Sequence, residues 1–172
     1  MRRCALLLFI ANGLCGCVDD SLVADPWADA GPDFAGSGLS THLHSAEDGR
    51  VLARLKARKF RGFEASGKQV LEGVTVEFVA AGLKVFSRRA ELLGPESVEL
   101  RGDVHGEMPG GRRFRTPSLV FSSKTKRLEM AGPVEFFGKG YELRALGGAS
   151  VDELFNGLKL IGPIKGVARV AP

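Results

Sequence analysis

Cysteine is almost absent from this chain of 172 residues, and the three present, Cys4, Cys15 and Cys17, all lie within the first 17 positions. The remainder has no thiol, so no disulfide braces it and no thiolate site can be built there. Tryptophan and tyrosine occur once each. That leaves little to stack on bases, and with the export signal described below it argues against a nucleic-acid partner. No apolar run reaches the roughly 20 residues that a permanent membrane-spanning helix requires. No segment holds a sustained helical period, and neither a G-x-S-x-G elbow nor a Ser-His-Asp set at a recognisable spacing occurs. Of the three histidines, His42 and His44 share a strand face, but a metal needs a third ligand and His105 is far away in sequence. Carboxylates such as Glu99 and Asp103 fall among outward charges. The expectation is a protein that is not an enzyme and needs no cofactor or metal.

What is present begins with "MRR", a short cationic start, followed by the eleven-residue apolar run "CALLLFIANGL". This is the build of a secretory signal. "LCGC" at Leu14 to Cys17 resembles a bacterial lipobox, in which cleavage exposes a cysteine that carries the lipid. The expected organisation is a signal peptide over 1–16, a lipidated Cys17 opening an acidic tether over 17–38, and a domain over 39–172. The tether has five aspartates and no Lys or Arg, and too few apolar groups to repay the entropy of ordering. From residue 39 the balance reverses, with 22 basic against 15 acidic residues, an excess that favours anionic partners.

The domain repeats itself. Sliding the chain by thirty places aligns Gly102, Gly132 and Gly162, and likewise Val104, Val134 and Ile164. Around each glycine the apolar residues take even positions and the charged ones odd positions, as in Val98, Leu100 and Val104 against Glu99, Arg101 and His105. Period two is the mark of a half-buried strand, and because thirty is even each copy turns the same face inward. Turn signals separate the strands: Asp48-Gly49, "EMPGGRRF", "FSSKTKRL", "FGKGYEL" and Asn156-Gly157. The glycine of each "G-x-[VI]" marks a bulge or bend, and Pro133 and Pro163 directly after it suit a break in the ladder. The reading is an all-β domain of stacked hairpin-like units, each burying its inner face on the next.

"LRGDV", "RTPSLVF", "KRLEMAGPVEF" and "SVDELFNGLKLIGPIKG", in that order and spacing, resemble the lipopolysaccharide-export proteins of the OstA-like superfamily, and within it the LptC type. The resemblance spans roughly residues 40 to 170. It implies a twisted, open, V-shaped β-jelly-roll whose apolar interior holds the acyl chains of lipid A. Its edge strands are expected to pair with neighbouring LptA-like domains to form a bridge, and its partners to include lipopolysaccharide or a related lipid and the inner-membrane ABC transporter. The chain departs from the type in carrying a lipobox and tether where a transmembrane helix is usual. It is therefore expected on the periplasmic side of a bacterial membrane, inner by family and outer as the alternative.

The expected groove lining is Val76, Phe78, Val85, Leu100, Val104, Phe114, Leu119, Phe121, Met130, Val134, Phe136, Leu143, Leu160 and Ile164. A plain sandwich core would use the same residues. Basic clusters at Arg54 to Arg61, Arg88-Arg89, Arg112 to Arg115 and Lys124 to Arg127 either flank the groove and meet phosphates or are solvated turns and edges. The alternative function is a structural envelope lipoprotein that stacks by strand pairing without lipid.

Overall fold

The computed structural model describes residues 31–45, 47–94 and 96–168. It contains twelve strands: β1 (Phe34–His44), β2 (Val51–Phe63), β3 (Lys68–Phe78), β4 (Leu83–Leu92), β5 (Ser97–Glu107), β6 (Arg113–Ser122), β7 (Arg127–Ala131), β8 (Val134–Gly138), β9 (Tyr141–Ala145), β10 (Gly148–Asp152), β11 (Lys159–Ile161) and β12 (Ile164–Ala168). All pairs are antiparallel; β1 to β7 pair in chain order, after which β7 pairs with β10 and β10 with β11, while β8 pairs with β6 and β9 and β9 pairs with β12, leaving β1 at one edge of the sheet and β11 and β12 at the other. The short strands are halves of longer arms. β7 and β8 are one arm interrupted at Gly132-Pro133, and β11 and β12 another interrupted at Gly162-Pro163. Proline has no N–H to give to a ladder, so the break falls where the sequence denies a donor.

Every arm breaks at the same level. Along β3 the buried positions run Val76, Val74, then Leu71. Along β6 they run Phe114, Thr116, then Leu119, so the step across the break is three residues instead of two. The breaks form a line across the sheet through Gly38, Arg58, Gly73, Arg88, Gly102, Pro117, Gly132, Gly147 and Gly162. Gly38, Gly73, Gly102, Gly132 and Gly162 have φ between +61° and +81°, a backbone state from which a Cβ is sterically disfavoured. Their missing side chains also make room: a Cβ on Gly73 would lie 2.0 Å from Arg58 Nε, and one on Gly132 would lie 3.3 Å from the Pro117 ring. The thirty-residue repeat is thus a pair of arms, one turning on glycine and the next laying Arg, Pro or, between β9 and β10, Gly147 across it.

The line divides the sheet into two half-sheets joined along it. The first contains β8, β9 and β12 with residues 39–44, 51–57, 74–78, 83–87, 104–107 and 113–116. The second contains β7, β10 and β11 with the remaining ends of β1 to β6. They close on each other through their inner faces. Phe78, from the first, meets Phe121, from the second, edge to face with ring centroids 4.8 Å apart, and both are fully buried. Such a pair adds about 1 kcal/mol beyond its buried area.

β1 begins at Phe34, inside the 17–38 segment expected to be a tether. The cause is a glycine opposite an aromatic: Phe34 is registered against Gly62, and its ring occupies the space over that bare backbone. Asp33, one of the acidic residues of that segment, accepts a hydrogen bond from the Glu64 amide at 2.6 Å. The same device covers Gly36 with Phe60, Gly106 with Phe114 and Gly138 with Tyr141, each a cross-strand pair. Cys17 and the signal segment lie outside the described residues.

Candidate functional site

The expected groove residues do not share one environment. Val76, Phe78, Val85, Leu100, Val104, Phe114, Leu119, Phe121, Met130, Val134 and Phe136 are buried in the core between the half-sheets. Leu143 and Leu160 are half-buried, and Ile164 is 53% exposed. Register explains the difference. Leu160 pairs with buried Ala149 and Ile164 with buried Ala145, so both side chains point to the inner side. Among the described residues Leu160 still packs against the edge of the core, whereas Ile164 is left largely uncovered.

An apolar cavity of about 230 Å³ opens close by, lined by Met108, Arg112, Phe136, Tyr141, Leu143, Phe155 and Leu158. Its lining is graded. Phe136 and Met108 are buried, Leu143 and Phe155 half-buried, and Tyr141, Leu158 and Arg112 exposed. Two other depressions, of about 320 and 340 Å³, are both lined by Arg113 and Phe137, the first also by His105, Glu107 and Arg115 and the second by Tyr141, Glu142 and Val167.

The turn between β10 and β11 builds one wall of the cavity. Asp152 Oδ1 accepts hydrogen bonds from the amides of Leu154 and Asn156, at 3.0 and 2.7 Å, and the Phe155 amide donates to the Asp152 carbonyl at 2.9 Å. Phe155 is thereby held at φ +62°, a left-handed state rare for a bulky residue, and its ring stacks on Phe114 at 5.9 Å. Strain of this kind costs about 1–3 kcal/mol and persists where surrounding contacts impose it. The sequence contained the signal in "VDELFNG", but Asn156-Gly157 suggested a tight hairpin, whereas a wider turn forms with Asp152 as its cap.

The half-sheets are also tied on the side away from the bend. Arg50 Nη2, at the start of β2, lies 2.5 Å from Glu153 Oε1 in the β10–β11 turn, and the Lys126 ammonium is paired with Glu47. Glu153 is buried, and its Oε2 has no hydrogen-bond partner among the described residues.

The basic clusters differ in how they are balanced. Arg54 pairs with Glu77, Arg61 with Glu72, Arg88 with Asp103 and Arg89 with Glu91. Arg127 donates to Ser150 Oγ at 2.7 Å. Arg112, Arg113 and Arg115 make no ion pair among the described residues. The suggested carboxylate pair is separately engaged: Glu99 holds Arg101 at 2.8 Å and raises the pKa of its guanidinium, while Asp103 faces Arg88. His42 and His44 lie with ring centroids 6.1 Å apart, and His105 stacks on Phe86. No group of three or more His, Cys, Asp or Glu side chains able to hold a metal occurs among the described residues.

No protein-family model and no curated protein sequence matches this chain. A solved structure does: that of LptH from Pseudomonas aeruginosa, the LptA-homologous periplasmic component of the lipopolysaccharide transport device, with a TM-score of 0.54. The match covers 70% of this chain and 95% of that one at 13% identity, a likeness of fold. The fold is thus that of an LptA-like β-jelly-roll.

Proposed function

We propose that this protein is a periplasmic, lipid-anchored carrier of the LptC kind, which takes the acyl chains of lipopolysaccharide or a related lipid and hands the molecule to β-jelly-roll partners paired along its edges. The observation that carries the reading is the inward set Leu143, Leu160 and Ile164, the first two only half-buried and the third exposed, beside an edge strand unpaired on its outer side among the described residues. Apolar side chains aimed at the inside but exposed at one end suit a hydrocarbon chain that enters there. The adjoining edge, with Ile161, Ile164 and Val167 exposed, suits addition of a strand from an LptA-like neighbour. The likeness of fold to a lipopolysaccharide-transport component supports the same reading. The anchor is Cys17, on the inner membrane if the family pattern holds and on the outer membrane otherwise.

A specific observation favours a second reading. Phe78 and Phe121 seal the middle of the interior, as in a structural lipoprotein that stacks with partners and holds no lipid. Photo-crosslinkers at Leu143, Ile164 and Phe121, with Arg101 on the outer face as control, separate the two in cells. Lipid captured at Leu143 and Ile164 but not at Arg101 supports the carrier, and capture at Phe121 adds that the half-sheets part to let chains through. Lipid at none of the inner positions, with partner protein captured at Ile164, leaves the structural reading. Cys17→Ser is expected to release the protein from the membrane fraction under both.

A further inference from the structure

The cavity beside β9 has a polarity of its own. Its floor, Phe136 and Met108, is buried and apolar, whereas its rim holds a guanidinium. Arg112 closes the β5–β6 turn, its carbonyl accepting from the Met108 amide at 2.9 Å, so its backbone is anchored to a floor residue. Unlike the clusters around Arg54, Arg88 and Lys126, it has no carboxylate partner among the described residues. The same cavity is lined by Phe155, kept in the left-handed region by the Asp152 cap. A strained aromatic forming one wall and an unpaired cation at the rim of an apolar recess match one kind of molecule, an amphiphile with an anionic head.

Resting on the carrier reading, we propose that this mouth holds a hydrocarbon chain against Phe155 and that Arg112 selects an anionic oxygen head at its rim. A guanidinium can donate two N–H groups to a carboxylate or a phosphate at once, which an ammonium cannot match in geometry. The head is therefore recognised by charge and shape, and the chain by apolar contact alone.

The test is an NMR titration of the folded protein, following the Met108 and Leu143 methyls, with decanoate, decyl phosphate and neutral decanol below their micelle or solubility limits. Both anions are expected to bind about three- to tenfold more tightly than decanol, the range for a partly solvated charge-assisted contact. Whichever anion binds tighter identifies the head as carboxylate or phosphate. Arg112→Gln is expected to remove the preference for the anions over decanol. Arg112→Lys should keep part of it, and Lys56→Gln, on the outer face, all of it. Equal binding of all three ligands overturns the head selection and leaves the carrier reading standing. No shift with any of them overturns both. Methyl shifts that depend on protein concentration without amphiphile mean that a second copy fills the mouth, which also overturns the proposal.

Discussion

The guanidinium of Arg50 and the carboxylate of Glu153 meet at 2.5 Å between the start of one half-sheet and the far turn of the other, on the side away from the bend. Glu153 is buried there while Arg50 is about half exposed. The pair closes the folded sheet opposite the bend. Its coupling, screened on the arginine side, is expected near 1 kcal/mol. Arg50→Ala should cost more than Glu153→Gln, because it leaves a buried carboxylate without its cation. Urea unfolding of both single variants and the double variant gives the coupling, and strict additivity would sink the idea of a clasp.

Phe121 and Ile164 stood together in the expected lining, but their surroundings call for opposite outcomes. Phe121→Ala empties a fully buried site against Phe78 and is expected to lower stability by about 3–5 kcal/mol. Ile164→Ala, on the exposed edge, should stay within about 0.5 kcal/mol. Thermal and denaturant unfolding read both, and similar losses at the two positions would contradict the closed interior.

The bend glycines are expected to resist replacement for a backbone reason. Gly102→Ala forces a side chain into φ +75° and should cost about 1–2 kcal/mol. Gly106→Ala has no such backbone cost, but its Cβ would lie 2.1 Å from the buried Phe114 ring, so overpacking of about 1–3 kcal/mol is expected. Gly94, with φ +73° and nothing near its missing Cβ, isolates the backbone contribution. If Gly94→Ala proved neutral by denaturant unfolding, the account of the bend would need another cause.

The β1–β2 turn predicts a small acid response. The carboxyl of Asp48 is held below its ordinary value first by a hydrogen bond from Ser45 and next by the Arg50 amide. A carboxyl whose pKa is lower in the folded than in the unfolded chain stabilises fully above the unfolded value, about 3.9, and loses that contribution as pH falls through the folded one. Asp48→Asn should therefore flatten the stability profile below about pH 4. An unchanged profile by circular dichroism would refute the assignment.

An edge substitution separates association from folding. Val167 is 62% exposed on β12, and Val167→Lys puts a charge on an open edge, a device that discourages strand addition. Unfolding should be unaffected within about 0.5 kcal/mol, while crosslinking to a strand-pairing partner should fall. Crosslinking that persisted unchanged would remove this edge from consideration.

Much of the architecture was legible in the residue pattern. Alternation gave the strands, the turn signals separated them, and the thirty-residue spacing of Gly102, Gly132 and Gly162 located the bend in every second arm. The intervening arms were hidden, because Arg58, Arg88 and Pro117 turn the chain without a shared letter. Even the unbroken alternation from Leu100 to Val104 concealed a bulge: Gly102 holds an even position yet faces solvent, and the inward step across it is four residues.

Which strands form, and which side of each is apolar, follow from local chemistry, since the direction of a Cβ along an extended chain depends only on its neighbours in sequence. Whether that apolar side is sealed or open depends on whether a second layer stands opposite it, and layers are made by residues distant in the chain. Phe121 is closed off because Phe78 folds across to it, Ile164 stays open because its strand pairs on one side only among the described residues, and Glu153 finds Arg50 only after the sheet has doubled over.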